Sequence, residues 1–134
     1  MKSKDRWVHS STCSYNLGYH IIWCPKYRRK VLTGDVELKL KEIIHLKCDE
    51  LDCEIQELNI MPDHVHLFVK TKPIIAPHFL VQQIKGLSSR ILRKEFKHLK
   101  TKLPNMWTRS YYIESVGHIS ENTIKKYIQE QKNK

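Results

Sequence analysis

The chain has 134 residues, with 24 Lys and Arg against 14 Asp and Glu, giving a net charge of +10 with histidine neutral. That length buries one proper core and leaves no room for a second domain of ordinary size. Apolar residues at 40% and charged residues at 28% exclude an intrinsically disordered chain. No apolar run approaches the roughly 18 residues of a membrane span, and Met1 to Arg6 leads into no secretory h-region. The expectation is a soluble, cytoplasmic protein with a polyanionic partner, since basic surfaces gather phosphate backbones by counterion release. Cys13, Cys24, Cys48 and Cys53 contain no CxxC pair and are read as reduced thiols.

Residues 1–13 are polar around an isolated Trp7 and are assigned as a tail or swapped arm without a role in the fold, leaving 14–134 as a single domain. From Ser14 to Cys24, Tyr15, Leu17, Tyr19, Ile21 and Trp23 alternate with Asn16, Gly18 and His20, which predicts a first strand. Pro25 ends it, and Lys26, Arg28, Arg29 and Lys30 then surround the single ring of Tyr27. A helix opens at Gly34-Asp35, with Val36, Leu40, Ile43, Ile44, Cys48 and Leu51 on one face. Cys53 to Ile60 is rich in strand formers but patterned less cleanly, and Met61-Pro62-Asp63 is a turn. In the next strand Val65, Leu67 and Val69 point one way, and His64, His66 and Phe68 the other.

A second helix is expected from about His78 to His98, apolar along Leu80, Val81, Ile84, Leu87, Ile91 and Leu92. Its outer face is read as basic through Lys85, Arg90, Arg93, Lys94 and Lys97. A fourth strand is expected over 108–116, with Tyr111 and Tyr112 on opposite faces. Gly117 ends it, and Ser120 caps a last helix carrying Ile124, Tyr127 and Ile128. The order β-α-β-β-α-β is the ferredoxin-like, RRM-like α+β arrangement: a four-stranded antiparallel sheet with two helices on one face, the other face left free, plus a C-terminal helix.

His64-Val65-His66 brings two imidazoles to one side of a strand, where they can share a cation or simply be packed or solvated histidines. Tyr127 and Gln131 lie one turn apart on one helix face; taken alone, the pair reads as a tyrosine packing its ring against the sheet. His45, Cys48 and Cys53 match no zinc spacing and are assigned to core and surface. His20, His78, His98 and His118 have no second ligand at a useful spacing and are read as ordinary hydrogen-bonding side chains.

Five segments fall in the same order as in one known family: Tyr19 to Lys30, Leu58 to Leu67, Lys85 to Arg90, Trp107 to Tyr112 and Ser120 to Gln131. Over about residues 14 to 132 the chain resembles the small single-tyrosine HUH transposases of bacterial and archaeal insertion sequences. The resemblance implies that His64 and His66, with Gln131 as a third ligand, hold Mg2+ or Mn2+, and that Tyr127 attacks single-stranded DNA to give a 5′-phosphotyrosine. It further implies a prokaryotic, DNA-associated homodimer with possible trans active sites across the Gly117 hinge, acting on hairpins at element ends. Lys26, Arg28, Arg29, Lys30, Lys85, Arg90, Arg93 and Lys94 would then hold phosphates, with Tyr27 stacking on a base, although each cation is equally a solubilising charge. The rivals are a domesticated nuclease acting on repeat hairpins, an HUH nuclease of replication or conjugation, and a catalytically silent single-stranded nucleic-acid binding module. The aromatic motif of RRM sheets is absent.

Overall fold

The computed structural model describes residues 8–9 and 13–116. Its centre is a four-stranded sheet built from β3 (Leu17–Trp23), β4 (Glu54–Met61), β5 (His64–Thr71) and β6 (Tyr112–Ser115), with α1 (Gly34–Glu50) and α2 (Pro77–Glu95) as the crossovers. The strand order is β4-β5-β3-β6 and every neighbouring pair is antiparallel. This is the expected split βαβ arrangement. Two short strands precede it: β1 (Val8–His9) pairs with β2 (Ser14–Tyr15), so Val8 and His9, expected in a tail or swapped arm without a role in the fold, form one strand of a two-stranded ribbon.

Burial of one sheet face explains the alternation. Ile21, Trp23, Val65, Leu67 and Val69 join Val36, Leu40, Ile43 and Ile44 of α1 and Leu80, Val81, Ile84 and Leu92 of α2 in a single core. Removing a side chain of that size from water is worth about 1.5–3 kcal/mol, which is why the period-two and helical stripes converge on this layer. The first stripe, from Val36 to Cys48, is buried as its spacing requires. α1 ends in a Schellman turn: Cys53 N–H donates to Cys48 O at 2.8 Å and Asp52 N–H to Asp49 O at 3.1 Å, with Asp52 at φ 54° in the left-handed cap position.

The second helix is shorter than expected. α2 stops at Glu95, Phe96 adopts an extended conformation (φ −116°, ψ 90°), and a separate helix α3 (Lys97–Lys102) follows. The break turns the chain so that Leu99 and Leu103 enter the core behind α2. The last strand also differs, because 108–111 is not strand. Trp107 instead forms an isolated bridge with Pro25, Thr108 N–H donates to Cys24 O at 3.0 Å, and ladder pairing resumes at Tyr112. Trp107 is held from both sides: its ring meets Trp23 edge-on at 6.1 Å and its Nε1 donates to Ser88 Oγ at 2.9 Å.

β4 contains a bulge between Ile55 and Glu57. The extra residue returns Leu58 and Ile60 to the core face and leaves Glu57, Asn59 and Met61 opposite Phe68, His66 and His64. That shift of phase is the reason for the weaker pattern of this segment. The second face of the sheet, expected to be free, is covered in part: His20, His66 and Phe68 are buried, and Phe68 packs with Val116. Gly18 allows that packing, since a Cβ there would lie 3.3 Å from the Phe68 ring.

Candidate active site

β5 carries His64 and His66 on the second face, as the alternation requires, with their ring centroids 4.6 Å apart and nearly perpendicular at 82°. Both sit beside the tight turn that joins β4 to β5, where Met61 pairs with His64. The turn is fixed from outside, because Leu32 N–H donates to Pro62 O at 3.0 Å. Asp63 in the turn approaches His64 Nδ1 at 2.6 Å and also meets the Arg28 guanidinium at 3.2 Å. Partial burial pushes the Asp63 carboxyl up, but the hydrogen bond from His64 and the charges of His64 and Arg28 outweigh it and hold the carboxyl below its usual range.

In a neutral His64 whose Nδ1–H is committed to Asp63, the lone pair belongs to Nε2. That nitrogen is buried and has no hydrogen-bond partner among the described residues. A neutral imidazole with Nδ1 tied to a carboxylate and Nε2 open is the arrangement of a metal-ligating histidine. Glu57 Oε2 and Asn59 Nδ2, on the neighbouring strand of the same face, are likewise buried and unbonded. Among the described residues no set of three or more His, Cys, Asp or Glu side chains is placed to hold a metal. Two imidazoles therefore fit part of a divalent-cation site, and an octahedral Mg2+ or Mn2+ needs further oxygen ligands.

His20, expected to make only ordinary hydrogen bonds, belongs to this cluster. It lies on β3 diagonally across from His66, fully buried, with its Nε2 3.3 Å from His66 Nδ1. The two rings are nearly parallel, at 19°, and the Tyr112 ring stands edge-on to His20 at 6.3 Å. Burial lowers the His20 pKa, and Glu114 on β6 opposes that only in part. The signal in the sequence was its place on the same face as His66, which becomes legible only once the β3–β5 register is known.

The basic residues divide into two kinds. Tyr27 and Arg28 both have positive φ, 59° and 50°, an unfavourable conformation for side chains with a Cβ, and the turn throws the Tyr27 ring outward to 64% exposure. The Lys26 ammonium lies 5.3 Å from that ring, and Arg29 and Lys30 are exposed beside it. Lys85, expected on an outer basic face, is instead buried and donates to Thr108 O at 2.7 Å and Arg109 O at 3.4 Å. Arg93 is half-buried and donates to Leu103 O and Pro104 O, so much of its guanidinium is used in holding the loop after α3. Arg90 and Lys94 are exposed and, with Arg93, Lys97, Lys100 and Thr101, line a groove of about 400 Å3. Lys97 and Lys100 enter it from α3, beyond the break at Phe96.

Tyr127 and Gln131, together with Gly117, His118 and Ser120, lie outside the described residues. No described helix is long and apolar enough to cross a membrane.

Comparison with known proteins accounts for this combination. Residues 13–131 match the family of IS200-like transposases. Over 122 residues, covering 90% of this chain and 87% of the relative, the sequence is 39% identical to the ISDra2 transposase TnpA of Deinococcus radiodurans. Over 113 residues, 83% of this chain and 72% of the relative, it is 33% identical to the transposase for insertion sequence element IS200 of Salmonella typhimurium. A crystal structure of a protein from Deinococcus radiodurans R1 superposes with a TM-score of 0.73 at 34% identity, covering 98% of both chains. The REP-associated tyrosine transposase bound to a REP hairpin shares the fold, with a TM-score of 0.58 at 14% identity over 92% of this chain and 66% of that one. A histidine pair on an RRM-like sheet thus sits in a DNA transposase, and the chain belongs to the single-tyrosine, IS200-like transposase family.

Proposed function

We propose that this transposase cleaves and rejoins single-stranded DNA at the ends of an insertion sequence through a 5′-phosphotyrosine, recognising hairpins next to the cleavage sites. The observation that carries the reading is the His64–His66 pair, held on one face by the strand and the turn, with His64 Nε2 buried and unclaimed by any described protein group. His64, His66 and Gln131 would hold the cation. A bound Mg2+ or Mn2+ would supply Lewis-acid polarisation of a nonbridging phosphate oxygen.

The remaining work falls to the chain. The Tyr127 phenol oxygen attacks phosphorus, the bond to the 3′ oxygen breaks, and that oxygen takes up a proton to leave as a 3′-hydroxyl. The tyrosyl phosphodiester keeps the bond energy, so a second 3′-hydroxyl displaces Tyr127 and rejoins a strand without ATP. Asp63 orients His64 during these steps. Phosphates along the strand would meet Lys26, Arg29 and Lys30 at one place and Arg90 and Lys94 at another, with the outward Tyr27 ring available to a base. The hairpin complex of the REP-associated relative supports a structured single strand as substrate. The family resemblance supports a homodimer in which one protomer's Tyr127 can serve its partner's histidines.

The test uses single-stranded oligonucleotides from the DNA flanking the gene, incubated with Mg2+ or Mn2+ and resolved on a denaturing gel. The expected result is a covalent protein–DNA adduct that needs the metal and disappears in Tyr127→Phe. His64→Ala and His66→Ala should lose cleavage and keep hairpin binding. Strand binding by the wild type with no adduct under any of these conditions would move the chain to the class of silent binding modules.

A further inference from the structure

The geometry points to His20 as a positioning residue for His66: its Nε2 accepts the His66 Nδ1–H and thereby turns the Nε2 lone pair of His66 toward the place where a cation would sit. This rests on the reading of His64 and His66 as metal ligands. A neutral imidazole carries one N–H and one lone pair, so the 3.3 Å contact between His20 Nε2 and His66 Nδ1 admits one proton between them. If the proton belongs to His20, His66 keeps its own hydrogen on Nε2 and has no lone pair to offer there. If it belongs to His66 Nδ1, both histidines of β5 are alike: each has its Nδ1–H engaged, one by Asp63 and the other by His20, and each presents Nε2.

Several features single out His20 for this task. It is fully buried, so its ring cannot swing out to water. Its ring is close to parallel with that of His66, which brings the donor hydrogen near the plane of the accepting lone pair. Tyr112 stands against it from β6, fixing the ring from the side away from β5. The two ligands are therefore oriented by unlike groups: an anionic carboxylate from the turn next to His64, and a neutral imidazole from the adjacent strand next to His66.

The test needs no turnover. Long-range 1H–15N spectra of the full-length, metal-free protein should show His66 as the Nδ1–H tautomer in the wild type, and displaced toward Nε2–H in His20→Leu. Mn2+ titrations followed by calorimetry should show affinity about 10–100-fold weaker in His20→Leu. His20→Gln should recover most of it, because its amide oxygen can occupy the position of the His20 Nε2 acceptor. An Nε2–H tautomer at His66 in the wild type would overturn the assignment even if His20→Leu does not fold. Wild-type Mn2+ affinity in His20→Leu, with affinity lost in His66→Ala, would overturn the assignment of His20 alone. Wild-type affinity in His64→Ala and His66→Ala would instead refute the metal reading on which it stands.

Discussion

The Lys85 ammonium donates to the Thr108 carbonyl at 2.7 Å, so a cation from the middle of α2 fastens the segment that leads into β6. The family resemblance implied a phosphate contact for this lysine, yet its side chain is about nine-tenths buried. Replacing it with methionine keeps the stem and leaves two carbonyls short of a donor, at a cost of about 1–3 kcal/mol. Urea midpoints should report that loss, while single-stranded DNA affinity of the folded Lys85→Met protein stays within about twofold. Burial also lowers the Lys85 pKa in the folded state. Between that lowered value and the unfolded value of 10.5 the unfolded chain binds the extra proton, so wild-type stability gains with rising pH there relative to Lys85→Met.

Arg90 and Lys94 should behave in the opposite way. Both are exposed and line the groove shared with Lys97 and Lys100, and neither is needed to hold the core. Arg90→Gln and Lys94→Gln should leave the urea midpoint unchanged within about 0.5 kcal/mol. The salt dependence of single-stranded DNA binding should flatten by about 0.7 in the log–log slope for each phosphate contact removed. An unchanged slope in the double variant would take this groove out of the DNA path.

Tyr27 sets stability against binding. Its φ of 59° penalises any side chain with a Cβ, and its ring is too exposed to recover the cost by burial. Tyr27→Gly should therefore be more stable than Tyr27→Ala by about 1 kcal/mol, measured by thermal or urea unfolding. Both should bind single strands more weakly than wild type by about 1–3 kcal/mol if the ring stacks on a base, and Tyr27→Phe should bind as wild type does.

The cysteines should react in order of exposure and acidity. Cys13 is exposed, whereas burial, reinforced by the neighbouring Cys53 and Asp49, pushes the Cys48 thiol up to about 12. Burial raises Cys53 as well. Iodoacetamide at about pH 8 should label Cys13 within minutes in the folded protein and reach Cys48 only as the chain unfolds, because the thiolate is the nucleophile. Mass spectrometry of tryptic peptides separates the sites. Rapid labelling of Cys48 in the native protein would contradict its placement in the α1 stripe.

What the sequence made legible was the part governed by local periodicity. The α1 stripe from Val36 to Cys48 and the alternation from His64 to Phe68 predict their faces because every member of each set meets the same core or the same opposite face. Three features needed information that no local window carries. Lys85 is anchored by carbonyls from residues more than twenty positions away, and spacing alone cannot tell a buried lysine from one on the outer face. His20 meets His66 only through the register of two strands distant in the chain. The turn at Phe96 breaks a segment of strong helix formers, Arg93, Lys94 and Glu95, so tertiary packing of Leu99 and Leu103 overrides propensity there.

The bulge in β4 has a bearing on how this chain can change length. Because an extra residue at Gln56 already resets which side chains face the histidines, strand length upstream of it is separated from the phase of everything downstream. A residue lost or gained near Glu54–Gln56 can be absorbed by removing or enlarging the bulge, with Leu58 still facing the helices. The same change between Leu58 and Met61 has nowhere to be absorbed before the tight turn, and would exchange Asn59 for a leucine or isoleucine opposite His66. Length variation should therefore be tolerated on one side of Glu57 and exclude a working site on the other, which a pair of single-residue deletions would reveal.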